Sequence, residues 1–283
     1  RPVEMSRLTA IFDKAAASGR KLGLVSTSLN NHPRLTQLLE EIGARKLRIA
    51  PPSLRLGMLS EELLAYMKAS GVNEVTLAPE VGSDTLRAAL GKRVSGEAIL
   101  EDVASLVRSG IRDIKLYLMV GLPGEGQDDL EAAVDLVKRI RQTFIQVSRG
   151  NRRIGRVSVS INAMVPKPHT QYEREAMPDP GEAKKRIRKI VKGLKSQSNV
   201  TVSFEGPKWA YIQALIARGD RRVLDVLLEM AASDQSRWQD VLKRWPRNPD
   251  YYALRRHDPD EILPWSFYSM PGPTPCGSGG GGA

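Results

Sequence analysis

Apolar residues recur along the first 165 positions in two alternating patterns. Four stretches show the 3.6-residue spacing of amphipathic helices: 6–18, 34–42, 60–69 and 97–109. Five shorter apolar runs have the length and composition of β-strands: 22–28, 46–50, 74–79, 111–120 and 156–165. A glycine at the end of each helical stretch, such as Gly19 or Gly43, suits a left-handed helix terminus. Strands that alternate with single helices pair in parallel, so the pattern predicts an α/β sheet or barrel.

The remaining residues are organised differently. Further elements are predicted as a basic amphipathic helix over 181–195, a strand over 200–204 and helices over 208–230 and 234–245. Gly and Pro dominate residues 269–283, which predicts a disordered tail. We therefore expect a barrel over 1–204, a helical extension over 205–268 and the tail over 269–283.

The first predicted element is a helix, although a helix of this kind normally follows a strand. The chain also begins with Arg1 and not with Met. We therefore expect one further strand upstream, in a longer parent chain.

Cysteine usage and hydropathy exclude several classes of protein. Cys276, in the Gly-rich tail, is the single cysteine of the 283 residues. Disulfide scaffolds, zinc ribbons and iron–sulfur sites each need several thiolates, so the chain provides none of them alone. His169 has no partner at metal-ligand spacing, and no metal site is predicted. Without a run of 18 apolar residues or the apolar core of a signal peptide, a soluble, cytoplasmic protein with no membrane partner is expected.

The net charge of +11 comes from one region. Residues 136–195 hold sixteen Lys and Arg against four Asp and Glu, a net charge of +12, so the other residues sum to −1. The basicity therefore predicts one local surface, and nucleic acid is the candidate partner for this 136–195 strip. A merely solvated helix face is the alternative explanation.

Ligands of parallel α/β folds bind at the carboxyl ends of the strands. The residues that close the five apolar runs are therefore the candidate site: Ser26 and Ser28, then Ser53, then Glu80 and Ser83, then Gly121, Pro123, Gly124 and Glu125, then Val165 and Pro166. Each group also has a structural explanation. Gly82 and Ser83 are good turn and N-cap residues, 121–125 can form a tight strand-to-helix connection, and 166–169 can form a stiff loop. No Walker-type phosphate loop or Gly-x-Gly-x-x-Gly fingerprint is present.

Three of these strand ends, taken together, resemble one family. Residues 77–83 (Leu-Ala-Pro-Glu-Val-Gly-Ser), 115–125 (Lys-Leu-Tyr-Leu-Met-Val-Gly-Leu-Pro-Gly-Glu) and 165–170 (Val-Pro-Lys-Pro-His-Thr) are similar, in order and spacing, to strand ends four, five and six of the radical S-adenosylmethionine (SAM) core. The similarity is greatest to a group whose cores usually follow a cobalamin-binding-type domain. It covers about residues 1–268.

The resemblance implies a partial (β/α)6 TIM-type barrel with SAM as cofactor. In the family, the first strand leads into a Cys-x-x-x-Cys-x-x-Cys motif that holds a [4Fe-4S] cluster, and this motif is absent here. We therefore expect a barrel that lacks its first strand and is inactive alone. In the parent protein we expect the cluster, cobalamin as a further cofactor, and an upstream cluster-bearing and cobalamin-type domain as partner.

The resemblance also implies roles for individual residues. Ser26 to Ser28 occupy the positions where many members have Gly-Gly-Glu for the SAM amino group. Glu80 and Ser83 match positions that bind the ribose or the methionyl part. Lys92 or Arg93 would pair with the SAM carboxylate. The 121–125 turn would lie near the adenosyl group, and 165–168 would flank adenine.

Three functions follow from these observations. The first is a fragment of a radical SAM enzyme, which abstracts hydrogen or transfers a methyl group on an unknown substrate. The second is a nucleic-acid-binding or RNA-modifying module that uses the basic strip, through Lys184, Lys185, Arg186, Lys189 and Lys192. The third is a cluster-free barrel enzyme that acts on phosphorylated metabolites.

Overall fold

A computed structural model describes residues 3–26, 29–149, 155–233 and 238–268. It divides the chain into two compact units, residues 1–163 with 181–207 and residues 164–180 with 208–283. Residues 164–180 thus group with the C-terminal part, a grouping that the sequence pattern did not predict. The predicted tail at 269–283, including Cys276, lies outside the described residues.

The first unit alternates helices and strands, as predicted. Its helices are α1 (Met5–Ser18), α2 (Leu35–Ala44), α3 (Glu61–Ala69), α4 (Asp84–Ala89), α5 (Gly96–Arg108), α6 (Gln127–Val147) and α7 (Pro180–Leu194). Its strands are β1 (Leu22–Gly23), β2 (Ile49–Ala50), β3 (Glu74–Glu80), β4 (Asp113–Val120), β5 (Arg156–Ala163) and β6 (Val200–Phe204). Serine hydroxyls cap α3, α4 and α5, each accepting a backbone N–H of the first turn at 3.1–3.2 Å.

All strand pairs are parallel and follow the order of the chain. β3, β4, β5 and β6 form one four-stranded sheet, and β1 pairs with β2. A single parallel bridge between Leu54 and Leu77 brings the segment after β2 beside β3. Sequential parallel strands joined by helices are the topology of a partial (β/α) barrel, which confirms the predicted fold class.

The two faces of the four-stranded sheet differ. Val75, Leu77, Ile114 and Leu116 are buried in the apolar core with the helices. The alternate residues, such as Lys115, are only half-buried. Within the described residues, the runs 74–79 and 111–120 are therefore fully covered on one face and only partly covered on the other. A period of two places their polar residues together on the second face.

The predicted bounds of four elements were wrong. The strands expected over 22–28 and 46–50 pair over two residues each, because Pro51 and Pro52 follow β2 and have no N–H to donate. Helix α2 continues through Gly43, and Lys46 takes the left-handed conformation with φ of 50°. The helix expected over 208–230 is interrupted after Arg218.

The second unit is helical, with α8 (Pro207–Arg218), α9 (Val223–Ala232), α10 (Trp238–Arg244) and α11 (Pro249–Ala253). Arg218 is buried and donates to the carbonyls of Ala253 and Arg255 at 2.9 and 2.7 Å. Burial lowers the pKa of Arg218 to about 10. Its two carbonyl partners tie the end of α8 to the segment after α11. Among the helices of the described residues, none is both long and apolar enough to cross a bilayer.

Candidate functional site

Glu80 ends β3 in an uncommon backbone conformation. Its φ is +67°, in the left-handed region that non-glycine residues seldom occupy, and the pairing of β3 with β4 shifts register between Leu77 and Glu80. Lys92 Nζ donates to the Glu80 carboxylate and to the Ala78 carbonyl, both at 2.8 Å. The strand end therefore presents a fixed carboxylate with a cation attached to it.

The buried side chain of Arg87 anchors the segment that follows β3. This guanidinium is fully buried and donates to the carbonyls of Val81, Gly82 and Val94 at 2.9–3.0 Å. It also pairs with Asp84 at 2.6 Å. Because carbonyls from both ends of the segment 81–94 meet one guanidinium, Arg87 fixes the position of Lys92 and Arg93.

Position 82 requires a glycine because α6 packs closely against it, and not because of the conformation of the turn. A Cβ on Gly82 would lie 1.9 Å from the backbone nitrogen of Ala133 in α6, closer than any real contact. Helix α6 therefore packs directly on the backbone of the loop.

The Ser83 hydroxyl makes structural contacts. It accepts the Leu86 N–H as the N-cap of α4 and donates to the Asp129 carboxylate of α6. Asp129 also accepts the Gly126 N–H at 2.8 Å. Ser83 thus joins the first turns of α4 and α6, and its match to a SAM-contacting position stays a prediction.

A cleft of about 520 Å³ lies beside this loop, between the segments 53–58 and 91–94. Ligand pockets commonly have volumes of this order. Ser53, Arg55, Lys92 and Arg93 contribute polar atoms to its wall. Arg55 and Arg93 are exposed, and within the described residues neither guanidinium has an ion-pair partner. The cleft is therefore a cationic pocket suited to a carboxylate or another small anion.

Two side chains hold the rim of the cleft. The Asn30 amide donates to the carbonyls of Arg55 and Met58 at 2.8 and 3.0 Å and accepts the Arg55 N–H. Asp102 accepts the Gly57 N–H at 2.6 Å, and burial raises the pKa of this carboxyl. The rim is thus preorganised by residues that the sequence patterns did not single out.

The 121–125 turn is a second rigid feature. Gly121 has a φ of +85°, and its N–H donates to the Glu125 carboxylate at 2.6 Å. Arg186 of α7 donates to the same carboxylate at 2.7 Å. Burial raises the pKa of Glu125 despite these donors. Glu125 therefore links the end of the 121–125 turn to its beginning at Gly121.

The structure brings together some of the predicted site residues. Ser53 and Arg93 share the cleft with Lys92, which holds Glu80. Gly121, Pro123, Gly124 and Glu125 form one turn. Ser26 is exposed and Ser28 lies outside the described residues. Val165 and Pro166 belong to the second unit, and their match to residues that flank adenine stays a prediction.

The chemistry of the donor set does not fit an iron–sulfur cluster. Within residues 3–26, 29–149, 155–233 and 238–268, no three His, Cys, Asp or Glu side chains cluster as metal ligands. The residues do fit the amino-acid end of SAM, which carries one carboxylate and one ammonium group. Arg93, in the wall of the cleft, is a cation for the first without an ion pair among the described residues. The Glu80 carboxylate, bound to the cleft residue Lys92, is an acceptor for the second.

Comparison with known families agrees with this geometry. Residues 8–137, which contain β1 to β4 and the whole cleft, match the model described as the Radical SAM superfamily. This segment is a radical SAM domain. The resemblance of the strand-end motifs at 77–83 and 115–125 to that superfamily is thereby confirmed.

Relatives of the radical SAM domain include an uncharacterised protein, MJ0966, from Methanocaldococcus jannaschii. It is 30% identical over 203 residues, which are 72% of this chain and 42% of that protein. A probable threonylcarbamoyladenosine tRNA methylthiotransferase from Pyrococcus horikoshii is 26% identical over 132 residues, 44% of this chain and 31% of its own length. The chain thus spans less than half the length of these relatives.

Solved structures support the fold of the radical SAM domain. The crystal structure of Streptococcus suis SuiB bound to S-adenosylmethionine superposes with a TM-score of 0.51 at 13% identity, covering 75% of this chain and 47% of SuiB. A second SuiB structure gives a TM-score of 0.52 at 12% identity, covering 76% of this chain and 46% of SuiB. At such low identity the likeness concerns the fold alone.

Proposed function

We propose that the radical SAM domain binds SAM in the cleft between 53–58 and 91–94. The supporting observation is that this cationic cleft, at the carboxyl ends of β2 and β3, lies wholly inside the matched segment 8–137. Arg93 receives the SAM carboxylate, since it is exposed, has no ion pair among the described residues and, unlike Arg55, directly follows the lysine that holds Glu80. Lys92 instead holds the Glu80 carboxylate, which accepts the SAM ammonium group.

When bound SAM is reduced by one electron, it gives an adenosyl radical. In that chemistry this chain orients the amino-acid end of SAM. The 283 residues contain one Cys, so the thiolates of a cluster come from another segment or chain. We therefore propose that these residues alone do not cleave SAM. Cobalamin, a cobalamin-type partner domain and a cytoplasmic location stay predictions.

SAM binding is measured by calorimetry on the 283-residue chain. Arg93→Gln should weaken binding at least about tenfold, because a charge-assisted hydrogen bond contributes about 1.5–3 kcal/mol. Arg20→Gln, at an exposed arginine after α1, is the control and should bind like the wild type. Decarboxylated SAM lacks the group that Arg93 receives, so its affinity should be equal in wild type and Arg93→Gln.

Two results would contradict the proposal. Absence of SAM binding by the wild type would remove the site. An Arg93→Gln variant that binds SAM normally would remove the assigned role of Arg93.

We further propose that the macromolecular substrate of the parent enzyme is RNA. The strongly basic strip at 136–195 supports this, because sixteen cations against four acids favour a polyanion. The relative from Pyrococcus horikoshii, whose name states that it acts on tRNA, supports the same substrate class. Binding of tRNA by the chain, measured by fluorescence anisotropy at 50 mM and 200 mM salt, is the test. Affinity that is weak and insensitive to salt would contradict it.

A further inference from the structure

Tertiary contacts divide the cations of α7 and its C-terminal flank into two sets. Lys185 pairs with Glu182 at 2.5 Å, Arg186 with Glu125 at 2.7 Å, and Lys189 with Glu131 at 2.7 Å. Lys189 also donates to Gln127 at 2.8 Å. The second set is exposed and has no acidic partner among the described residues; it consists of Lys184, Arg188, Lys192 and Lys195. We call these four residues the α7 stripe.

The α7 stripe is a straight row of positive charge. Lys184, Arg188 and Lys192 follow one another at intervals of four residues, which places them along one side of α7, and Lys195 follows in the turn after the helix. At 1.5 Å per residue, the three cations within α7 are about 6 Å apart and span about 12 Å. The α7 stripe therefore presents regularly spaced cations to solvent, with Lys195 beyond the end of the helix.

Helix α6 adds a fifth cation beside this row. The two helices are in contact, because a Cβ on Gly193 would lie 2.8 Å from Val134 and because Lys189 pairs with Glu131. Lys138 follows Val134 by one helical turn, is exposed and has no acidic partner among the described residues. By that spacing it lies towards the C-terminal end of α7.

We propose that the α7 stripe and Lys138 bind the phosphate backbone of RNA. This inference rests on the proposed RNA substrate and assigns the surface that holds it. Exposed cations without an acidic partner contact phosphates, which position a nucleic acid without reading its sequence. Of the paired set, Arg186 holds α7 on the 121–125 turn, Lys189 holds it on α6, and Lys185 is neutralised within α7 by Glu182, so the set has no such role.

The other face of α7 argues against a membrane surface. Ala183, Ile187, Ile190 and Leu194 are buried in the core of the first unit. A helix that binds a bilayer needs a free apolar face to insert into the headgroup region. The apolar face of α7 is buried in the core, so no apolar surface of this helix is available to insert into a bilayer beside the stripe.

The test compares two triple variants with identical changes of charge and residue type. Lys184→Gln/Arg188→Gln/Lys192→Gln alters the α7 stripe. Arg7→Gln/Lys14→Gln/Lys21→Gln alters three exposed cations on and after α1, none paired with an acid in the described part of the chain. Binding of labelled tRNA by the full chain is measured by fluorescence anisotropy from 50 to 300 mM salt.

For the stripe variant we expect affinity at least tenfold below that of the wild type at 100 mM salt. The slope of log affinity against log salt should become less steep by about 2, since each phosphate contact contributes about 0.7–0.9. The α1 variant should match the wild type. SAM binding should be equal in all three proteins, which reports that each is folded.

The possible outcomes test the proposed RNA-binding surface and the proposed RNA substrate separately. If the wild type binds tRNA and the stripe variant binds it equally well, the surface is wrong while the RNA substrate stands. If the wild type does not bind tRNA, both are wrong. Equal competition by polyglutamate would assign the stripe to an acidic polypeptide. Binding to phosphatidylserine vesicles at least as strong as to tRNA would assign it to a membrane, and either result overturns the proposal.

Discussion

Lys92 is bonded to Glu80 across the loop that follows β3, with 2.8 Å between its ammonium nitrogen and the carboxylate. Both side chains are partly exposed, so this ion pair adds little to the stability of the fold. Its effect is to fix where the carboxylate points. Arg93, the next residue, is left without an acidic partner among the described residues and faces the cleft.

Lys92→Met should therefore lower SAM affinity severalfold while the urea midpoint of unfolding changes little, because Glu80 loses its fixed direction. Calorimetry and urea unfolding of the same preparations measure the two effects. Lys92→Arg keeps the cation and should restore most of the affinity. A loss of stability as large as the loss of binding would instead indicate a purely structural role.

Arg87 should be the most costly residue of the same loop to replace. Arg87→Met leaves three carbonyls and the Asp84 carboxylate without their buried donor, which we expect to cost about 3 kcal/mol in unfolding free energy. Asp84→Asn is the matched change on the exposed partner and should cost less than about 1 kcal/mol. Urea unfolding measures both, and equal costs would show that the carbonyl contacts of Arg87 contribute nothing.

Gly82→Ala should be destabilising although Ala is normally the better residue in a folded chain. The added Cβ would overlap the backbone of α6 at Ala133, and overpacking of this kind costs about 2 kcal/mol or more. Gly23→Ala is the control, because nothing lies within 4 Å of a Cβ at Gly23. Thermal unfolding of both variants decides the matter, and a Gly82→Ala protein as stable as Gly23→Ala would contradict the close approach of α6.

Glu125 should make the stability of the first unit depend on pH, with stability falling as pH rises. Burial raises its folded-state pKa above the usual 4.5, so the fold binds the proton of this carboxyl more tightly than the unfolded chain. The contribution of Glu125 to stability is then fully present below pH 4.5 and is lost as pH rises through the raised pKa. Relative to Glu125→Gln, the wild type should become progressively less stable over that interval.

Urea unfolding of wild type and Glu125→Gln between pH 4 and 8 measures this difference. Glu131→Gln is a useful comparison, because Lys189 lowers the pKa of that exposed carboxyl. The pH dependence of its stability difference should have the opposite sign. A difference between wild type and Glu125→Gln that is constant with pH would contradict the raised pKa.

Much of the fold could be predicted from local patterns. The 3.6-residue period marks α1, α3 and α5 to within about two residues, and the apolar runs mark β3, β4 and β5. Parallel pairing followed from their alternation, as the sheet order confirms. The break after Arg218 could not be predicted, because it depends on carbonyls at Ala253 and Arg255 that are distant in sequence.

The candidate site was predictable only in part. Strand-end residues such as Glu80 could be selected from their order, because parallel strands end at one edge of a sheet. Arg93 was selected only through the resemblance to the radical SAM core. Arg87, Asn30 and Asp102 were missed. They act through hydrogen bonds with backbone atoms of other segments, up to 45 residues away, and no local pattern encodes such contacts.

The charge of α7 was likewise predictable only in part. By itself, the sequence determined that α7 is an amphipathic helix with one strongly basic face, since periodicity and charge are local properties. Only the tertiary structure decided which of its cations are free. Glu125 and Glu131, which neutralise Arg186 and Lys189, are about 60 residues away along the chain and meet α7 only when α6 packs beside it.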